Sequence, residues 1–193
     1  MNPHQHNEAN GNPTSVLREE HQVILRVLRA FARFLDTGQN SGNWDFQALG
    51  ECISFFRLYA DACHHGKEED LLFPALESKG MPREGGPIAV MLYEHQLGRE
   101  RVSVMAQALP GAQSGDAGAL QRLIESGRAY IELLTEHIGK EDHCLFAMAE
   151  RMIDPASCRG LCHKYHEVSC GRFEGETKQA LEQIAQRLES KAG

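Results

Sequence analysis

The chain has 193 residues, enough for one domain with a sizeable core and an appendage. Its formal net charge is −7 and no basic face is apparent, which argues against a nucleic-acid partner. No apolar run approaches the ~20 residues that span a bilayer. The stretch from Met1 to Asn12 is polar and carries no secretory signal, so a cytoplasmic protein without membrane attachment is expected. The 6 cysteines then read as reduced thiols, and the 10 histidines are the unusual feature.

Residues 1–13 read as a flexible polar tail ending at Pro13, with no role given to His4 and His6. Thr14 or Ser15 is expected to cap the first helix, with Glu19 and Glu20 near its start. Leu17, His21, Ile24, Leu28, Phe31 and Leu35 follow at alternating steps of four and three, the spacing of a bundle seam. His21 is the polar member of that seam. The segment Thr37-Gly38-Gln39-Asn40-Ser41-Gly42 predicts a loop. A second helix is expected from Trp44 or Asp45 through Leu49, Ile53, Phe56, Ala60, His64, Glu68 and Leu71, ending about Phe73 because Pro74 follows. After a Gly- and Pro-rich loop over 79–87, the third helix carries Ile88, Met91, His95, Gly98, Val102, Met105 and Leu109, and Pro110-Gly111 is expected to end it. The fourth begins after Asp116 with the seam Leu120, Leu123, Gly127, Tyr130, Leu134, His137, Glu141, Cys144 and Met148. Asp154-Pro155 breaks the chain. A short helix to about Cys170, a turn at Gly171 and a charged terminal helix ending near Ser190 complete it. The division expected is a tail over 1–13, a four-helix bundle over 14–153 and a helical extension over 154–193 packed on the bundle.

One motif is repeated. His64-His65-Gly66-Lys67-Glu68-Glu69-Asp70 precedes Leu71-Leu72-Phe73, and His137-Ile138-Gly139-Lys140-Glu141-Asp142-His143 precedes Cys144-Leu145-Phe146. Residues four apart on a helix share a face, so each copy offers an imidazole and a carboxylate to one point. Short loops imply antiparallel neighbours, hence an all-α, up-down-up-down bundle. That order brings His21, His64, Glu68, His95, His137 and Glu141 to one end and one depth. Burying four imidazoles and two carboxylates without compensation would cost many kcal/mol. Two divalent cations supply the missing charge, and imidazole with carboxylate but no thiolate suits iron or manganese. With both carboxylates bridging, each ion has four protein donors. A shared oxygen bridge makes five and leaves about one open position for a small diatomic molecule or peroxide. His65-x3-Glu69 is an equally good local pair. His64 and Glu68 are preferred because they align with the second copy and continue the seam, which leaves His65 behind the ligands or on the surface.

These pieces together resemble the hemerythrin-like, HHE cation-binding proteins. They are Glu20-His21, His64-x3-Glu68 with Leu72-Phe73-Pro74, Gly86-Pro87-Ile88 leading to Glu94-His95, and His137-x3-Glu141 with Leu145-Phe146. The resemblance implies a four-helix bundle over about Leu17 to Met148 holding two non-haem iron ions, oxo- or hydroxo-bridged. His21, His64, His95 and His137 would be terminal ligands and Glu68 and Glu141 the bridges. Oxygen-carrying hemerythrins place a second histidine one turn after the helix 3 ligand, where this chain has Arg99. One nitrogen fewer tilts the expectation from carriage towards reaction with O2, NO or peroxide. The set is also similar to the di-iron domain of iron-sulfur-centre repair proteins, and iron donation to such centres is the alternative. A homodimer is an allowed assembly.

Other groups carry weaker expectations. Cys158, Cys162, His163 and His166 have thiol and imidazole at helical spacing, yet more readily read as scattered surface residues. Cys63 and Cys144 read more readily as small core residues than as near-site thiols open to oxidation. Tyr93 and Tyr130 either donate to a bound oxygen species or pack in the core. His143 is expected to face away from the seam.

Overall fold

The computed structural model describes residues 12–169 and 174–193. The polar start with His4 and His6, the thiol of Cys170 and the turn expected at Gly171 lie outside the described residues. Among the described residues there are six helices and no strand. They are α1 (Pro13–Ser41), α2 (46–78), α3 (Pro87–Gln113), α4 (117–152), α5 (Pro155–Ser169) and α6 (Lys178–Ala192). None is long and apolar enough to cross a membrane.

The helix starts follow local chemistry. Side-chain oxygens of Asn12, Asp45, Asp116 and Thr177 accept from backbone N–H groups in the first turns of α1, α2, α4 and α6. Pro13 and Pro87 sit at the first position of α1 and α3, where a missing N–H costs nothing. Three expected stops are helical instead. Gly38 lies within α1, its bare Cα packed against Trp44, whose ring a Cβ would meet at 2.2 Å. Gly42, at φ +72°, ends the helix. Pro74 opens the last α-segment of α2, Phe73–Ser78, directly after a wider π-turn. Pro110 lies inside α3, on its exposed last turns.

Two stretches of α2, Phe56–His65 and Glu68–Leu72, and one of α4, Glu141–Leu145, have the wide i→i+5 turns of a π-helix. Each adds a residue to a turn and so moves the inward face along by one. The continuations expected at Leu71 and Cys144 are corrected accordingly. Leu72 and Leu145 are buried, Leu71 is only half-buried and Cys144 is exposed.

The apolar interior falls into two clusters. One includes Ile24, Phe31, Phe56, Ala60, Val102, Met105, Tyr130 and Ile138, covered by Leu181, Ala185 and Leu188 of α6. The other includes Leu17, Leu72, Phe73, Ile88, Met91, Leu145 and Phe146, with Leu161 and Tyr165 of α5. Along each of the first four helices a buried histidine or glutamate stands between the two. His21 lies between Leu17 and Ile24, His64 between Ala60 and Leu72, His95 between Met91 and Val102, and Glu141 between Ile138 and Leu145. The polar residues therefore form a layer within the core. They are not at the bundle's end, because α2 and α4 continue past them by more than two turns.

Candidate metal centre

The six residues singled out from the seams are all buried, and their ligand atoms come together. His21, His64, Glu68 and Glu141 form one group whose ligating atoms lie within 4.8 Å of one another. His65, Glu68, His95 and His137 form a second, and Glu68 belongs to both. His65 is thus neither a surface residue nor set behind the others. It is 3% exposed and stacks on His95 with ring centroids 3.8 Å apart. The adjacent residues His64 and His65 both reach the centre, one to each group, because the π-turn that ends at His65 tightens the angle between successive side chains.

Each of the five imidazoles points Nε2 inward and Nδ1 at an outer carboxylate. His21 Nδ1 lies 2.9 Å from Asp142 and His64 Nδ1 3.1 Å from Glu20. His95 Nδ1 is 2.7 Å from Glu69, His137 Nδ1 3.0 Å from Glu94 and His65 Nδ1 3.4 Å from Asp61. This carboxylate–imidazole arrangement fixes the ring and turns the lone pair of Nε2 to the centre, as it does around bound metals. The outer carboxylates are held in turn. Arg99 donates to Asp61 at 2.8 Å and Glu69 at 2.6 Å, so it supports two imidazoles from the position where oxygen carriers have a further ligand. Lys140 pairs with Glu94, and Lys67 and Lys178 pair with Glu20 at 3.0 and 2.7 Å. Lys67 is 1% exposed.

Inside this ring the polar atoms lack partners. Nε2 of His21, His64 and His65 and all four carboxylate oxygens of Glu68 and Glu141 are buried without an aligned hydrogen bond among the described residues. The nearest contacts are His21 Nε2 to Glu141 at 3.1 Å, His137 Nε2 to Glu141 at 3.3 Å and His95 Nε2 to Glu68 at 3.5 Å. His95 and His137 aim their Nε2 atoms at each other across 3.1 Å. Native interiors rarely leave so many polar atoms unsatisfied.

The electrostatics agree. Burial, reinforced by the charge of Glu141, pushes the Glu68 carboxyl well above its ordinary range. Burial opposes ionisation of Glu141 too, but His137 and His21 outweigh it and hold the group down to about 2. Burial and the neighbouring His21 lower His64 to about 3, and burial likewise lowers His65 and His95. Those rings therefore keep free lone pairs. Burial would lower His21 as well, but Asp142 and Glu141 raise it to about 9. Two carboxylates and five imidazoles around one point form a donor set that fits metal cations preferring nitrogen and oxygen.

The remaining candidates do not join the centre. Cys158, Cys162, His163 and His166 form no metal-sized group among the described residues, and both histidines are exposed on α5. Tyr93 is 64% exposed and has no place near a bound ligand. Tyr130 packs against Phe56 in the larger apolar cluster. His143 faces outward.

The model of the hemerythrin HHE cation binding domain matches residues 7–149. Uncharacterised proteins of Mycobacterium bovis and Mycobacterium tuberculosis are each 25% identical over 157 residues, which is 81% of this chain and 61% of theirs. The iron-sulfur cluster repair protein YtfE of Dickeya chrysanthemi is 34% identical over 90 residues, 46% of this chain and 41% of that protein. The chain thus spans less than two thirds of the length of these relatives. No solved structure matches.

Proposed function

The chain belongs to the hemerythrin HHE cation-binding domain family, and from that premise we propose that it is a non-haem di-iron protein that binds or reacts with O2, NO or peroxide. The observation that carries this reading is the layer of unpartnered Nε2 and carboxylate atoms between two apolar clusters. His21, His64 and Glu141 would hold one ion, His65, His95 and His137 the other, and Glu68 would bridge them. Glu141 lies close enough to His21 and His137 to serve as the second bridge. The alternation of the two apolar clusters along α1 to α4 supports an up-down-up-down order for this bundle.

Bound iron would supply Lewis acidity and exchangeable electrons at neutral pH. The protein's own work is to hold it. The outer carboxylates Asp142, Glu20, Asp61, Glu69 and Glu94 would orient each ring so that Nε2 can serve the ion. If both glutamates were shared, the side of His21 and His64 would offer one protein donor fewer than the side of His65, His95 and His137, and would leave room there for a small molecule. Phe146, stacked on His21 with centroids 5.4 Å apart, makes that side apolar. A small, weakly polar molecule suits such a place better than a charged metabolite does.

An oxygen cycle tests the reading. The iron-loaded protein is reduced without air, mixed with O2, followed by its absorption spectrum, and then deprived of O2. A charge-transfer band that reverses means a binding protein. Irreversible conversion to an oxo-bridged ferric spectrum means redox chemistry. Absence of any iron-dependent band contradicts the di-iron reading. Similarity to YtfE supports a second role, donation of iron for the repair of iron-sulfur centres. Transfer of iron from the loaded chain to a damaged cluster protein, faster than from free iron, would favour that role.

A further inference from the structure

Next to the metal layer lies a buried thiol for which the proposed function has no use, in contact with the lysine that holds Glu20. Cys63 is fully buried and Lys67, one turn on, is 1% exposed. The Lys67 ammonium has three partners. It lies 3.0 Å from Glu20 Oε1, 3.1 Å from the Cys63 carbonyl oxygen and 2.8 Å from Cys63 Sγ. Sulfur is larger than oxygen, so an ordinary N–H···S bond is longer than an N–H···O bond. Here the order is reversed, and the sulfur is the nearest of the three. A nitrogen and a sulfur pressed together in a dry interior, beside a site expected to meet oxidants, are placed to share one oxygen atom.

We propose that Cys63 and Lys67 form a reversible covalent crosslink, an Sγ–O–Nζ bridge, when the protein is exposed to dioxygen or peroxide. With dioxygen the step balances as one thiol, one ammonium and one O2 giving the bridge, one water and one proton. The S–H bond and two N–H bonds break, and the S–O and O–N bonds form. Sulfur and nitrogen each give up two electrons. O2 accepts all four, one oxygen atom staying in the bridge and the other leaving as water. With peroxide, two molecules each accept two electrons and yield three waters in total with the neutral amine. A thiol restores the pair by reducing the bridge. The modification does not depend on the di-iron reading, since the oxidant can come from solution.

The position gives the crosslink a route to the site. Glu20 takes Lys67 on Oε1 and His64 on Oε2, the latter at 3.1 Å. Bridging leaves Lys67 with a single N–H and without its ammonium charge. Lys178, at 2.7 Å, then becomes the main cation at Glu20. The oxidation state of a buried thiol is thereby coupled to the carboxylate that orients His64.

The test is mass spectrometry on the full chain, prepared reduced and without air and then treated with hydrogen peroxide or air. The expected product is heavier by about 14 Da, one oxygen gained and two hydrogens lost, and dithiothreitol returns it to the starting mass. A tryptic map should show an uncleaved peptide spanning Lys67, because the bridged amine is no longer a cleavage site. Cys63→Ser and Lys67→Arg should each abolish the change, and Cys144→Ser should not. Two results overturn the proposal. One is a gain of about 16 or 32 Da on Cys63 with normal cleavage at Lys67, the mark of sulfenic or sulfinic acid alone. The other is an unchanged Cys63 peptide. Both are read from the protein without substitutions, so the test decides the matter even if a variant fails to fold.

Discussion

The two apolar clusters and the polar layer between them are built on the same four helices with the same seam spacing, yet they are stabilised in opposite ways. In the larger cluster Phe31 packs edge to face on Phe56 at 5.4 Å, Phe56 lies tilted against Tyr130 at 4.8 Å, and α6 covers the cluster. That region gains stability simply by leaving water. In the layer, inward atoms of His21, His64, His65, Glu68 and Glu141 lack hydrogen-bond partners among the described residues, while outer carboxylates bond the far sides of His21, His64, His95 and His137. Burial there costs stability until cations arrive. The comparison teaches that a helical seam is indifferent to what fills it. The fold can rest on the apolar layers while the polar layer is reserved for function.

Substitutions should separate the two regions. Glu68→Ala is expected to have the largest effect on metal, since Glu68 belongs to both groups, and iron content should fall to near zero. The same change should raise the melting temperature of the metal-free protein. The sign follows from the raised pKa of Glu68. Its ionised form is less favourable in the folded state than in the unfolded state, so the group costs stability above its unfolded pKa. The cost is full above the folded pKa and shrinks as pH falls from the folded value to the unfolded one. A lower melting temperature for metal-free Glu68→Ala would show that the layer is satisfied without cations. Phe56→Ala should do the reverse, costing about 3–5 kcal/mol in denaturant unfolding while iron per folded chain stays unchanged. Stripping iron with a chelator should cost about 4 kcal/mol if the site is saturated near a thousandfold over its dissociation constant. Hydrogen exchange should then rise around His64 and His137 more than around Phe31. Arg99→Met should weaken iron affinity by about 10–100-fold without lowering stoichiometry at saturation, because Arg99 acts through Asp61 and Glu69. The smallest effect expected is from Gly38→Ala, where a methyl would collide with the Trp44 ring. It should destabilise the protein by about 1–3 kcal/mol and leave iron binding untouched.

Much of this is legible in the sequence. The steps of three and four put His21, His64, Glu68, His95, His137 and Glu141 on inward faces, and a repeated motif on two helices marks the carboxylates. His65 is not legible as a contributor, because α-helical geometry turns neighbours about 100° apart. Only the π-turns in α2, which no hydrophobic period announces, let both histidines face the centre. The π-turns also move burial from Leu71 to Leu72 in α2 and from Cys144 to Leu145 in α4. The outer carboxylates are half visible. Glu20 and Glu94 stand out as the neighbours of His21 and His95, but each serves a histidine on another helix, His64 and His137 respectively. Pairing across helices leaves no local signal. Gly38, Pro74 and Pro110 read as breakers because local propensity takes no account of the packing against Trp44 or of the wide turn before Pro74.

The central claim is that the polar layer holds two ions with His64 and His65 on different ones. Iron analysis of the loaded and desalted protein, beside His64→Ala and His65→Ala, tests it most directly. The account predicts two iron ions per chain in the unmodified protein and fewer than two in each variant. Two ions retained in His65→Ala, or no more than one in the unmodified chain, would contradict it.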